Sequence, residues 1–339
     1  MSNLTVVALD AMGGDNAPSA MVQGAVNAVN ESKEVKVVLV GKEDVIKAEL
    51  ANHSYPAEQI EIKNATEVIE TAEHPVMAIK KKKDSSMVVG LHLVKEGQVD
   101  ALVSAGNSGA LLVGGLGIVG RIRGIERSPF GALIPTKTGV TLLVDSGSNV
   151  DCRSSHLVQF AKMGSIYMEK ALGIKNPKVA IVNNGAEEEK GNALVKETMP
   201  LLKECDSINF VGGIEAREIP AGTVDVVVCD GFVGNAILKT FEGVASTLLS
   251  VFKEGLTSNL LSKIGAALAL PSLKNKLKAF DATQYGGAPL LGLNGLVVKT
   301  HGSAKALEVR NTIFQCVTFK EQKINDHIKE NIVIEKKED

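Results

Sequence analysis

Five times along this chain a short apolar run breaks into a loop of Gly with Asn, Asp or Ser, and a helical pattern follows. The segments are residues 6–15 (VVALDAMGGD), 101–109 (ALVSAGNSG), 140–151 (VTLLVDSGSNVD), 179–191 (VAIVNNGAEEEKG) and 226–235 (VVVCDGFVGN). Runs of Val, Ile and Leu without polar alternation belong to strands buried on both faces, as a parallel sheet covered by helices requires. The pattern predicts an α/β fold built on a doubly wound parallel sheet. It also gathers the loops at the carboxyl edge of the sheet, where ligands bind in such folds. Gly lets backbone N–H groups and helix N-termini approach an anion, so a pocket lined by these loops suits phosphate.

With 339 residues, 45% of them hydrophobic, the chain can bury a large core, and no Pro/Ser-rich linker divides it. Length alone permits one large α/β domain or two smaller ones, and without such a linker a single domain over residues 1–339 is expected. A formal charge of −2 and only nine Phe and three Tyr give no electrostatic or stacking reason to expect nucleic acid as a partner. Cys152, Cys205, Cys229 and Cys316 are too dispersed for a disulfide framework or a zinc site. Neither a metal nor a cofactor is expected. Residues 1–10 lead directly into a strand without a signal-type segment, and no apolar stretch approaches the about 20 residues that span a bilayer, so the sequence reads as cytosolic.

Further strands are expected at 35–41, 59–64, 208–212 and 295–300, and helices at 17–30, 44–51, 85–96 and 154–172, with Asp15 or Asn16 and Asp84 or Ser85 as caps. Residues 241–280 differ, because two helical patterns follow one another without a strand between them. They predict an inserted helical hairpin in which Pro271 ends one helix and opens the next. Leu260, Leu261, Ile264, Ala267 and Leu268 share one stripe beside Lys263, and Leu273 and Leu277 repeat among Lys274, Lys276 and Lys278. Such a stripe serves either as a packing or dimer face, or as an apolar tip resting on lipid with lysines toward anionic headgroups.

Gly115, Gly117 and Gly120 spell the dinucleotide-binding GxGxxG, but the preceding strand ends at Ser104 and a helix opens near Asn107. These glycines therefore fall inside an apolar helix and carry no cofactor. At the strand ends, Asp10 points from its strand toward the cleft, Gly13 and Gly14 supply backbone donors, and Asn107 and Ser108 combine side-chain and backbone donors for an oxyanion. The run Glu187-Glu188-Glu189-Lys190-Gly191 reads as a solvated first helical turn or, through Lys190, as a phosphate ligand. Asn235 is placed to open a helix with its amide toward the pocket. Lys80 to Lys83 form a solvated run or a face for an acidic protein. His301, beside Gly302 and Ser303, is a candidate proton donor or phosphate ligand. The absence of GxSxG, HExxH and P-loop motifs disfavours a serine hydrolase or a kinase.

Six ordered motifs, DAMGGD at 10–15, KKDSSM at 82–87, SAGNSGA at 104–110, DSGSNVD at 145–151, CDGFVGN at 229–235 and YGGAPLLGLNGLVVKTHGS at 285–303, together resemble the bacterial PlsX family of phosphate acyltransferases. The resemblance covers nearly the whole chain. It implies transfer of a fatty acyl group from acyl-acyl carrier protein to inorganic phosphate, feeding phospholipid (phosphatidic acid) synthesis. The implied fold, a single three-layer α/β/α catalytic domain over residues 1–339, is similar to isocitrate and isopropylmalate dehydrogenases and to phosphotransacetylases. A homodimer is implied, as is a cytoplasmic enzyme with peripheral membrane association and contact with the downstream glycerol-phosphate acyltransferase. The hairpin carrying Leu260, Leu261, Ile264 and Leu268 would be the membrane-facing part. The chain departs from the family pattern at residues 183–187 (NNGAE) and 213–218 (GIEARE), so no role is carried onto Glu215 or Arg217.

On this resemblance Lys190, with N–H groups of the Gly13-Gly14 and Asn107-Ser108 loops, would neutralise phosphate. Asn149 joins Asp10 among the phosphate or substrate ligands. Asn235 would donate to the developing oxyanion, and His301 would be the general acid if one is used. Lys253, Lys263, Lys274 and Lys276 are candidates for docking the acidic carrier. The alternatives are a phosphotransacetylase acting on acyl-CoA, a metal-dependent dehydrogenase of the same fold, and a non-enzymatic membrane scaffold for lipid synthesis.

Overall fold

The apolar runs form parallel strands of two sheets. This computed structural model describes residues 4–332 except 186, 188 and 279–281, and of residues 270–278, 282 and 283 only the backbone elements. Among the described residues the strands are β1 (Thr5–Asp10), β2 (Val35–Gly41), β3 (Ile60–Asn64), β4 (Ala101–Ser104), β5 (Gly131–Thr136), β6 (Gly139–Val144), β7 (Lys178–Val182), β8 (Asn209–Ile214), β9 (Val226–Val228), β10 (Ala288–Pro289) and β11 (Leu296–Lys299). The helices are α1 (Ser19–Glu31), α2 (Glu43–Leu50), α3 (Pro75–Lys81), α4 (Ser86–Lys95), α5 (Ser108–Gly114), α6 (Ser154–Leu172), α7 (Ala193–Lys203), α8 (Gly231–Thr257), α9 (Leu260–Lys278), α10 (Ala306–Glu321) and α11 (Ile324–Asn331).

The chain divides into two compact units. The first runs to Ala132 and takes in Lys162–Lys175 and the chain from Thr283; the second comprises Leu133–Ala161 and Asn176–Ala282. The first unit's sheet has the order β10-β11-β4-β1-β2-β3, parallel except for the short edge strand β10. Its register sets Leu9 beside Val103 and Lys299 beside Ser104, which brings the carboxyl ends of β1, β4 and β11 together. Its core joins Ala8, Leu102 and Val297 from the strands to Leu91 and Leu111 from the helices. Within the same unit Tyr167 is buried; its hydroxyl accepts from Gln315 Nε2 at 2.9 Å, and burial pushes its pKa to about 12.

The second sheet has the order β5-β6-β9-β7-β8, with β6, β9, β7 and β8 pairing in parallel. Leu143, Ala180 and Val227 fill its interior with Ile134, Ile214 and Ile219. In each unit the expected strands occur within a residue or two of their expected bounds. Strands β5 and β10 have no counterpart in the sequence reading. Both lie at sheet edges and contain a proline, Pro135 and Pro289, which only an edge position tolerates.

The caps and the hairpin correct three expectations. Neither Asp15 nor Asn16 caps α1, whose preceding residue is Pro18; instead Asn16 donates its amide to the carbonyls of Ser303 and Ala304 at 2.9 and 3.2 Å. Ser85 caps α4 by accepting from Val88 N–H, whereas Asp84 is bound by Thr66. The hairpin turns at Ser258 and Asn259, not at Pro271. The Asn259 side chain accepts from Ser262 N–H at 2.9 Å and starts α9, which runs on through the proline position. Helix α8 already begins at Gly231 and reaches Thr257, so the hairpin's first arm is longer than expected. The sequence-predicted side chains at Leu273, Leu277, Lys274, Lys276 and Lys278 lie outside the described residues, as do residues 186 and 188. No described helix is long and apolar enough to cross a membrane.

Candidate active site

In the first unit three strand-end loops interlock. Asp10, 2% exposed, accepts from Ser104 Oγ at 2.7 Å and from Met12 N–H at 3.3 Å, with Ser86 and Gly13 N–H as further donors. Burial holds its carboxyl above the ordinary 3.8 even though each of those hydrogen bonds pulls the other way. Asp10 therefore does not face an open cleft: it ties its own loop to β4 and α4. Gly13 is required there, since a Cβ would stand 2.5 Å from Asp10 Oδ2 and 2.8 Å from Gly106 N. Gly14 adopts φ +100°, and Asp15 N–H donates to Gly302 O at 2.8 Å, joining the β1 loop to the β11 loop.

Asn107 is corrected as an oxyanion donor. Its side-chain oxygen accepts from Ala110 N–H at 2.9 Å and caps α5, while its amide nitrogen donates to the carbonyls of Thr71 and Glu73 at 3.0 Å each and of Glu70 at 3.4 Å. Both ends of the side chain are spent on structure. Ser108, the first residue of α5, is exposed, and the N–H groups of Gly14 and Ser108 have no partner among the described residues. His301 is exposed: its Nδ1 accepts from Ser303 N–H at 3.3 Å and lies 2.8 Å from Ser303 Oγ, while its own N–H donates to Glu308. Lys299, which the sequence reading passed over, donates its ammonium to Ala105 O at 3.1 Å and steadies the β4 loop from β11. Its place as the last residue before the Thr300-His301 strand end was the available signal. Gly115 to Val119 continue α5 as a π-helical turn; Gly115 packs on Leu290 and Leu293, in keeping with a structural role for the GxGxxG match.

In the second unit the loops after β6, β9 and β7 come together. Asp145 is fully buried, and its carboxylate gathers the N–H groups of Gly147, Ser148 and Asn149 at 2.6 to 3.2 Å, with Ser148 Oγ at 2.8 Å. Asn149 donates its amide to the same carboxylate at 2.9 Å. Against this loop packs the start of α8. Asp230 accepts from Val233 N–H at 2.9 Å, so the cap is Asp230 and the helix opens four residues before Asn235. Gly231 N–H donates to Asn149 O at 2.7 Å, and both glycines of residues 229–235 admit no side chain. Asn235 is exposed beside Gly147, and its amide has no hydrogen-bond partner among the described residues.

Glu187, Glu189 and Lys190 precede α7 and do not form its first turn, because Asn192 is the cap and accepts from Val195 N–H at 2.9 Å. Lys190 is half exposed above Gly185, paired with Glu187 at 2.9 Å, and this ammonium holds the Glu187 carboxyl below its usual range. An exposed pair of this kind is worth little and exchanges readily for another anion. Between the β7 and β9 ends lies a cavity of about 270 Å³, lined by Leu157, Val182, Asn183, Val195, Cys229 and Val233 among others. Burial pushes the Cys229 thiol well above its usual value, with Asp230 and Asp145 adding to the effect.

The model of the family described as "Fatty acid synthesis protein" matches residues 5–327. The chain belongs to this family, and the PlsX resemblance read from its motifs is thereby borne out. A relative from Alkaliphilus oremlandii (strain OhILAs) named "Phosphate acyltransferase" is 50% identical over 326 residues, 96% of this chain and 97% of its own. Among solved structures, a phosphotransacetylase from Streptococcus pyogenes is 17% identical with a TM-score of 0.62, covering 95% of each chain. One described as a 4-hydroxythreonine-4-phosphate dehydrogenase from Salmonella typhimurium is 13% identical with a TM-score of 0.50, covering 93% of this chain and 99% of that one. These two likenesses establish the shared α/β fold that the strand-loop-helix repeats predict.

Proposed function

We propose that the protein transfers a fatty acyl group from acyl-acyl carrier protein to inorganic phosphate, giving an acyl phosphate for phospholipid synthesis. The observation that carries the acyl transfer to phosphate is the 50% identity, over almost the full length of both chains, with a relative named phosphate acyltransferase. Phosphate is already an anionic nucleophile near neutral pH, so the task is to hold it in line with a thioester carbonyl; no covalent intermediate is needed. Phosphate oxygen attacks the carbonyl carbon, and the tetrahedral adduct expels the thiolate.

In the second unit Lys190 is the phosphate ligand of this reading, giving up Glu187 for the substrate. Asn235 is the donor to the developing oxyanion, the role its unpartnered amide suits. In the first unit the unpartnered N–H groups of Gly14 and Ser108 are the anion donors, with Asp10, Gly13 and Asn107 shaping the loops that present them. Asn149 acts through the Asp145 loop. His301 supplies a proton to the leaving thiolate if one is supplied at all.

The same reading takes the chain as a cytoplasmic homodimer in peripheral contact with the membrane and with the downstream glycerol-phosphate acyltransferase. Its support is the apolar hairpin surface: Leu260, Leu261, Ile264 and Leu268 are 74%, 83%, 51% and 78% exposed, flanked by the exposed Lys253 and Lys263. Flotation with anionic vesicles tests it, and loss of binding in a Leu260→Ser/Leu261→Ser variant is expected.

The decisive assay for the chemistry is release of free carrier thiol from acyl-acyl carrier protein with and without phosphate, with hydroxylamine trapping of the acyl phosphate. Phosphate-independent release, or none from folded protein, would overturn the reading. Efficient turnover of acyl-CoA in place of the carrier would assign the phosphotransacetylase alternative. Lys190→Ala is expected to raise the KM for phosphate at least tenfold, and near-normal phosphate affinity would remove Lys190 from the site.

A further inference from the structure

The phosphate chemistry leaves the 270 Å³ cavity of the second unit without a role. Leu157, Ile181, Val182, Leu194, Val195 and Val233 supply its aliphatic walls, and its one ionisable carboxylate is Asp230. No lysine or arginine lines it, so its charge repels phosphate and favours a neutral, apolar occupant. Polarity is graded from inside outward. Ile181 and Leu157 are buried at the floor, Val182, Leu194 and Val233 are half-buried, and Asn184 and Asn192 are exposed at the mouth. The volume corresponds to roughly nine waters at about 30 Å³ each, room for a segment of alkyl chain. The mouth adjoins both the loop that carries Lys190 and the turn of α8 that carries Asn235.

We propose that this cavity binds the acyl chain of the donor, and that Val233 and Leu194 set the preferred chain length. The inference rests on the acyl-transfer reading and adds the place where the chain lies. A chain segment that leaves water for the cavity gains about fourfold in kcat/KM for each methylene buried, so selectivity is readable as a ratio between donors. Aliphatic walls discriminate by length and bulk, because they offer no hydrogen bond to match.

The test compares dodecanoyl and butyryl donors in wild type, Val233→Phe, Leu194→Phe and Val233→Ala. In both Phe variants the ratio of kcat/KM for the long to the short donor is expected to fall at least tenfold, and Val233→Ala is expected to leave a ratio at or above that of wild type. A ratio within twofold of wild type in a cooperatively folded Phe variant overturns the proposal. If Val233→Phe does not fold, the half-buried Leu194 variant decides. Equilibrium binding of non-hydrolysable dodecyl and butyl thioethers of pantetheine gives a readout independent of turnover. Length-dependent binding that Leu194→Phe abolishes, in a protein without phosphate-dependent release, upholds the cavity and sinks the acyl-transfer reading. Phosphate-dependent release with no length-dependent binding does the reverse.

Discussion

Gly234→Ala separates local helix propensity from the packing that builds the second unit's site. By propensity alone, Ala in place of Gly inside α8 stabilises by about 1 kcal/mol. The position forbids it. A Cβ on Gly234 would stand 1.9 Å from the carbonyl oxygen of Asp145, where real contacts do not fall below 3.0 Å, and 3.0 Å from Cys229 Sγ. The first turn of α8 must therefore withdraw by roughly 1 Å. Asp145 cannot yield instead, because its carboxylate holds Gly147, Ser148 and Asn149. Overpacking of this kind costs about 1–3 kcal/mol, so after the propensity gain the net expectation is destabilisation by up to about 2 kcal/mol. Asn235 is the next residue, and a shift near 1 Å at a positioning group can cost about 100-fold in rate. Gly243 is the control, for it lies in the same helix with nothing within 4 Å of its Cβ position. Gly243→Ala is expected to stabilise by about 0.5–1 kcal/mol and to keep its activity. Urea midpoints and kcat/KM are measured for both. Equal stabilisation by the two substitutions, with activity retained at Gly234, would refute the close approach of α8 to the Asp145 loop.

Asn107→Ala removes a helix cap and the partner of three carbonyls, so a loss of about 2–4 kcal/mol is expected by chemical denaturation; unchanged stability with weakened phosphate binding would return Asn107 to the oxyanion-donor role. Burial raises the Asp10 carboxyl above 3.8, so the folded state holds its proton more tightly than the unfolded one; this contribution is fully present below pH 3.8 and is lost as pH rises through the raised value. The urea midpoint of wild type minus that of Asp10→Asn is therefore expected to shrink between pH 4 and pH 7, and a growing difference would mean that the hydrogen bonds outweigh burial. Iodoacetamide at pH 8 is expected to label Cys152 and Cys205 but not the buried Cys229 and Cys316, whose thiols burial keeps neutral, until guanidinium unfolds the chain; mass spectrometry of the native protein reads the pattern.

The strands were legible because burial on both faces leaves a continuous apolar run, and their following loops because Gly13 and Gly231 stand where another strand-end group leaves no room for a Cβ. Both signals are local. Less legible was anything decided by a partner distant in sequence. Asn107 has the residue type of an anion ligand, but its amide is taken by carbonyls 34 to 37 residues upstream, and nothing near it in the chain announces them. Asn149 is occupied by Asp145, four residues away, whereas Asn235 keeps an unpartnered amide although all three are asparagines in glycine-rich strand-end loops or the turns that follow. The start of α8 was missed for a related reason. Residues 231–235 have loop-like propensity, and the helix forms because Asp230 caps it and the two glycines let it lie against the Asp145 loop. Residue type thus marks where an anion site can be, and the hydrogen bonds already made decide which side chains are left to act. By that criterion, among the described residues, the side chain left open in the second unit is Asn235, with Lys190 held only by an exposed and exchangeable pair, and the groups left open in the first unit are the backbone donors Gly14 and Ser108, whereas the side chains of Asp10, Asn107 and Asn149 are spent on holding their own loops.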